Sequence, residues 1–146
     1  MKDDNILYNY NEVVEKEVVS GETSNDNYNV NDNTWYKLEA KEDADYLIEA
    51  NNLSSYQDFY IEFFNESNSE QIRDKIEGSK IYETVNFGDN ETVYFRIKSY
   101  GENESFDYNL KITELPYIEK VIESGVKYSG NANELDNTWY KVTATE

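Results

Sequence analysis

The chain has 146 residues, with 31 Asp and Glu against 13 Lys and Arg, a formal charge of −18, and neither His nor Cys. That length suits one ordinary domain with its own core, and 14 Tyr, 6 Phe and 2 Trp separate it from acidic disordered chains, which are poor in aromatics. The missing residue types exclude Ser-His-Asp and thiol catalysis and metal sites built on His or Cys, and the charge argues against nucleic acid and anionic membrane surfaces as partners.

No apolar run approaches the roughly 20 residues of a membrane helix, so no membrane insertion is expected. The opening Met1-Lys2-Asp3-Asp4-Asn5 lacks the apolar segment of a signal peptide. Zero Cys is compatible with cytosolic proteins and with exported bacterial proteins that do without disulfides. Carboxylate chemistry, calcium and aromatic binding surfaces remain open.

In chain order, residues 1–9 read as an N-terminal tail, about 12–19 as a first strand and 25–33 as a polar loop. From there the periodicity is two. Tyr36, Leu38 and Ala40 alternate with Trp35, Lys37 and Glu39, and Tyr46, Ile48 and Ala50 with Leu47 and Glu49. Phe59, Ile61 and Phe63 alternate with Tyr60, Glu62 and Phe64. Residues 68–78 read either as a helical turn, with Ile72 and Ile76 four apart, or as a looped hairpin; a strand follows over about 79–87. Val93, Phe95 and Ile97 then alternate with Tyr94, Arg96 and Lys98, and Phe106, Tyr108, Leu110 and Ile112 close the pattern. Such alternation marks half-buried strands. Seven or eight of them with no long helical pattern predict an all-β fold, an antiparallel, jelly-roll-like β-sandwich. Its expected core is Tyr36, Leu38, Ile48, Phe59, Ile61, Phe63, Phe95, Ile97, Tyr108, Leu110 and Ile112.

The sequence also repeats. Asp32-Asn33-Thr34-Trp35-Tyr36-Lys37 recurs as Asp136-Asn137-Thr138-Trp139-Tyr140-Lys141, an offset of 104, and the same offset carries Glu15-Lys16 onto Glu119-Lys120 and Ser20-Gly21 onto Ser124-Gly125. That period is too long for a solenoid and suits a tandem domain array. Residues 10–114 therefore read as one complete unit. Residues 115–146 read as the opening strands of a second, truncated one, with Leu115-Pro116 as the junction, and the whole reads as a piece of a longer protein. Tyr140 and Val142 correspond to Tyr36 and Leu38, so the tail is expected to seek a sheet edge. Strand-mediated self-association through 115–146 is favoured over displacement of residues 1–42.

The order of landmarks is Ser-Gly, a polar stretch, Asp32 to Tyr36, a Phe-x-Ile-x-Phe strand, Tyr94-Phe95-Arg96-Ile97 and Tyr108-Asn109-Leu110-Lys111-Ile112. It resembles the bacterial pre-peptidase C-terminal domain, a family that includes the collagen-binding domains of clostridial collagenases. The resemblance covers about residues 10–114. It implies a jelly-roll-like β-sandwich appended to secreted proteases and surface proteins, non-catalytic, which in the collagenase branch binds collagen and calcium. It also implies a secreted or cell-surface location and an extracellular protein or glycan as partner.

Two sets of residues are candidates for function. The strand over 93–100 turns Tyr94, Arg96, Lys98 and Tyr100 away from its apolar set; with Tyr60 and Phe64 they make a polar-aromatic surface suited to an extended protein or glycan. The same face is equally suited to being covered by a neighbouring repeat or a loop. For calcium, which takes six to eight oxygens, the oxygen-rich segments 25–33 and 88–91 nominate Asp26, Asp32, Asp89 and Glu91, placed in loops. Asn and Asp also stabilise turns without any ion. Trp35 and Trp139 share one phase in both copies, which favours packing near a sheet edge over ligand stacking. With 31 acids on a small domain, carboxylate pairs such as Asp43 and Asp45 read as solvated surface rather than as an active site.

Overall fold

The computed structural model describes residues 13–65, 70–101, 104–133 and 135–145. The expected N-terminal tail over 1–9 lies outside them. The strands are β1 (Val14–Glu17), β2 (Thr23–Tyr28), β3 (Thr34–Glu39), β4 (Ala44–Asn52), β5 (Phe59–Phe64), β6 (Gln71–Gly78), β7 (Lys80–Val85), β8 (Thr92–Ser99), β9 (Phe106–Pro116), β10 (Ile118–Val121) and β11 (Thr138–Lys141). Nine of them form a jelly-roll-like sandwich of a five-stranded sheet, β1-β3-β8-β5-β6, and a four-stranded sheet, β2-β9-β4-β7.

Alternation creates the two layers. Along β5 and β8 every second residue is buried, so Phe59, Ile61 and Phe63 meet Val93, Phe95 and Ile97 on one inner face. Tyr46, Ile48, Ala50, Tyr108, Leu110 and Ile112 line the other. Every residue of the expected core is buried. Aromatic contacts run between the layers, with Phe59 centred 5.5 Å from Phe106 and Phe63 5.5 Å from Phe87. The phenol oxygens of Tyr36 and Tyr108 hydrogen-bond across the core at 2.8 Å. Burial raises both phenols well above their ordinary value, so each stays neutral and can share that bond.

Two strands differ from expectation. Residues 23–28, which overlap the stretch 25–33 read as a loop, are an edge strand: β2 pairs antiparallel with β9 along its whole length, Thr23↔Lys111 to Tyr28↔Phe106. Asp26 therefore sits on the sheet, opposite Tyr108, and not in a loop. Thr-Ser-Asn-Asp-Asn-Tyr carries no apolar alternation because only Tyr28 of the strand is buried. Residues 71–78 are not a helical turn but strand β6, the second arm of an antiparallel pair with β5 whose register is irregular between Ile61 and Phe64. Gly78, at a φ of 153° that side chains rarely adopt, then leads the chain from one sheet into the other.

The sandwich is also not wholly antiparallel, since β1 and β3 pair in parallel. The chain leaves β1 for β2 in the opposite sheet and returns as β3, so it reverses twice before pairing. Residues 14–37 hold their place in the sandwich and are not displaced by the tail. β10 and β11 pair with each other, in parallel, as a separate two-stranded sheet. The tail meets the sandwich where Tyr117 N donates to Asp43 O at 3.2 Å and Asn137 Nδ2 to Leu115 O at 3.0 Å. Among the described residues no helix is long and apolar enough to cross a membrane.

Candidate functional site

Period two fixes what the outer face of the five-stranded sheet presents. In β5 and β8, Tyr60 lies opposite Lys98, Glu62 opposite Arg96 and Phe64 opposite Tyr94. All are half-buried, the outward partners of the buried Phe, Ile and Val positions. β3 adds Lys37, paired with Tyr94, and β6 adds Glu77, paired with Tyr60. Five of the six side chains nominated for ligand contact thus share one face, and the sixth, Tyr100, lies just past β8 with its ring 4.8 Å from that of Tyr60.

They are organised as two aromatic-cation groups. In the first, the Arg96 guanidinium lies 4.8 Å from the ring centre of Trp35 and 5.6 Å from that of Phe64. The two rings meet edge to face at 5.4 Å. Glu62 fixes the guanidinium by accepting from Nε at 2.8 Å, and Asn33 fixes Trp35 by accepting from the indole N–H at 3.2 Å. In the second, the Lys75 ammonium lies 4.6 Å from the ring centre of Tyr60 and 4.8 Å from that of Tyr100. Those rings are 4.8 Å apart, and Tyr100 donates its phenol hydrogen to Glu77. Lys75 is held above the ordinary lysine value by its bond to Tyr100, and Tyr100 above the tyrosine value by Glu77. At neutral pH the lysine is charged and the phenol neutral. Lys37 is likewise raised by Tyr94 and Glu39.

Stacked cations and hydrogen-bonded carboxylates hold these rings in place, which lowers the entropy a ligand must remove when it settles on them. The face gathers Lys37, Lys75, Arg96 and Lys98, four of the chain's 13 basic residues. Sequence reading missed Lys75 and Glu77 here, whereas the packing role expected of Trp35 is met by its contacts with Phe64 and Arg96. Lys75 and Glu77 come from β6, whose strand character was not legible, and their contacts run between strands rather than along one.

The nominated calcium residues fall into three different settings. On β2, Asp26 takes the Lys16 ammonium and accepts from the Tyr36 phenol at 3.4 Å. Asp32 closes an Asx turn, accepting from Thr34 N at 2.9 Å and Thr34 Oγ1 at 2.6 Å. Asp89 and Glu91 line, with Asn65, Asn90 and Thr92, an open recess of about 270 Å³. Among the described residues no group of three or more carboxylates is gathered for a metal ion.

No family model matches the chain, and no curated protein matches it. Among solved structures its fold is similar to Aeromonas hydrophila PliG, a periplasmic lysozyme inhibitor of g-type lysozyme. The TM-score is 0.55 at 11% identity, over 70% of this chain and 97% of that one. It is also similar to the pre-peptidase C-terminal domain of a collagenase from Bacillus anthracis, with a TM-score of 0.49 at 13% identity, over 70% of this chain and 95% of that one. At such identities the likeness is one of fold.

Proposed function

We propose that the chain is a non-catalytic accessory or adhesion module of an exported bacterial protein, secreted or held at the cell surface. It binds an extended protein or glycan along the outer face of its five-stranded sheet. The observation that carries this is the pair of aromatic-cation groups, Trp35–Arg96–Phe64 and Tyr60–Lys75–Tyr100, on one open face of a strongly acidic protein. The motif resemblance to pre-peptidase C-terminal domains supports an accessory role. PliG, described as a lysozyme inhibitor, is an example of a similar fold in a binding role.

The test is a binding array of collagen, gelatin and cell-wall glycans probed with the wild-type chain and with Tyr100→Ala. Tyr100 is 52% exposed, so its truncation leaves the core intact. Binding to one class, weakened in the variant, is the expected outcome. Uniform absence of binding favours the alternative, a spacer repeat with no ligand of its own, which the recurrence of the β1–β3 pairing in β10–β11 supports. Calcium is a separable element of the proposal. With Asp26 and Asp32 engaged by Lys16 and Thr34, the recess beside Asp89 and Glu91 is the better place for it.

A further inference from the structure

The tail repeats the β1–β3 pairing of the first unit and the turn before β3 bond for bond. Val14↔Thr34 through Glu17↔Lys37 recur as Ile118↔Thr138 through Val121↔Lys141. The flanking bonds Val14 N to Asn33 O and Val18 N to Lys37 O, at 3.0 and 2.9 Å, recur as Ile118 N to Asn137 O and Ile122 N to Lys141 O, at 3.1 and 2.9 Å. Asp136 caps Thr138 and Asn137 holds Trp139 as Asp32 and Asn33 do their counterparts. Gly21 and Gly125 have the same φ of 81°.

The surroundings differ. In the sandwich β3 is flanked on its other edge by β8, through Tyr36↔Phe95 and Leu38↔Val93. β11 has no strand there among the described residues. Tyr36 and Leu38 are 1% and 4% exposed, whereas Tyr140 and Val142 are 51% and 62% exposed. An isolated two-stranded sheet is marginal in water, and an open apolar strand edge invites pairing.

We propose that the free edge of β11, with Tyr140 and Val142, is a docking surface for one kind of occupant: a polypeptide with the strand pattern of residues 43–114. Its counterpart of β8 pairs antiparallel with β11 and closes a second sandwich over the tail. A second intact copy does not supply this strand, because its β8 is already held between its own β3 and β5. A charge of −18 on each copy further opposes such an association.

The experiment joins a second copy of residues 43–114 to the full chain after Glu146, in a Trp35→Phe background so that Trp139 is the single tryptophan. Trp139, now 59% exposed, is expected to shift its emission to shorter wavelength and to lose its quenching by iodide. The amides of 138–142 are expected to gain protection from hydrogen exchange, and the added segment to resist protease. The same extended chain carrying Tyr140→Asp and Val142→Asp is expected to lose all three changes while residues 13–116 stay protected. Unchanged Trp139 quenching together with cleavage of the added segment overturns the proposal. So does protection that survives the double substitution, or a stable dimer of the unextended chain with Trp139 shielded.

Discussion

At the scale of single residues, the core rests on aromatic side chains whose polar ends are satisfied inside it. Tyr36 and Tyr108 share a hydrogen bond between the sheets, and burial raises both phenols from the ordinary value of 10.0. In the unfolded chain both lose their protons near pH 10, and in the folded chain they keep them. Stability is therefore intact below that pH and falls as pH rises above it, by up to about 1.4 kcal/mol per pH unit for each group. Urea unfolding midpoints are expected to hold steady to about pH 9 and to drop by about pH 11, less steeply in Tyr108→Phe. A midpoint that stays flat across that range would contradict the buried neutral pair. Phe63, fully buried against Phe87 and Phe95, gives a second check. Phe63→Ala is expected to cost about 3–5 kcal/mol in the same assay, and near-wild-type stability would mean its face is wrongly assigned.

At the scale of elements, the sequence was legible where a strand has one wet and one dry face. β3, β5, β8 and β9 announce both the core and the outward set that includes Tyr94, Arg96, Tyr60 and Phe64, because one period of two fixes both. It was not legible at the edges. β2 buries only Tyr28, and β6 buries only Ile76, with Ile72 half-buried, so neither carries enough apolar alternation to announce a strand. That cost Lys75 and Glu77 as candidate site residues and left Asp26 read as a loop ligand. The parallel pairing of β1 with β3 was invisible too, since it is set by the detour through β2. The Asx turn before β3 and its copy before β11 separate sandwich from tail. Asp32→Ala is expected to lower stability by about 1.5 kcal/mol, the loss of bonds to a charged acceptor. Asp136→Ala is expected to leave the main transition within about 0.5 kcal/mol, as exposed positions do. Equal losses at the two sites would mean that tail and sandwich unfold as one unit.

At the scale of the whole molecule, net charge and the proposed binding face pull in opposite directions. An excess of acids keeps the chain soluble and repels copies of itself, while one face keeps its cations stacked on rings. The proposed calcium binding is tested at this scale as well: an ion held by the folded state alone raises the melting temperature with its concentration. Melting in millimolar calcium is expected above that in EDTA, and Asp89→Asn is expected to remove the difference. Coincident curves would leave all four nominated carboxylates to structural duties. The central claim concerns the outer face, and the most direct measurement is an affinity titration of whichever ligand the array yields against wild type and the Tyr100→Ala, Lys75→Ala double variant. Loss of about 2 kcal/mol, roughly 30-fold in Kd, at an unchanged melting temperature is the predicted result. Equal affinity in the two proteins would contradict a ligand site on this face.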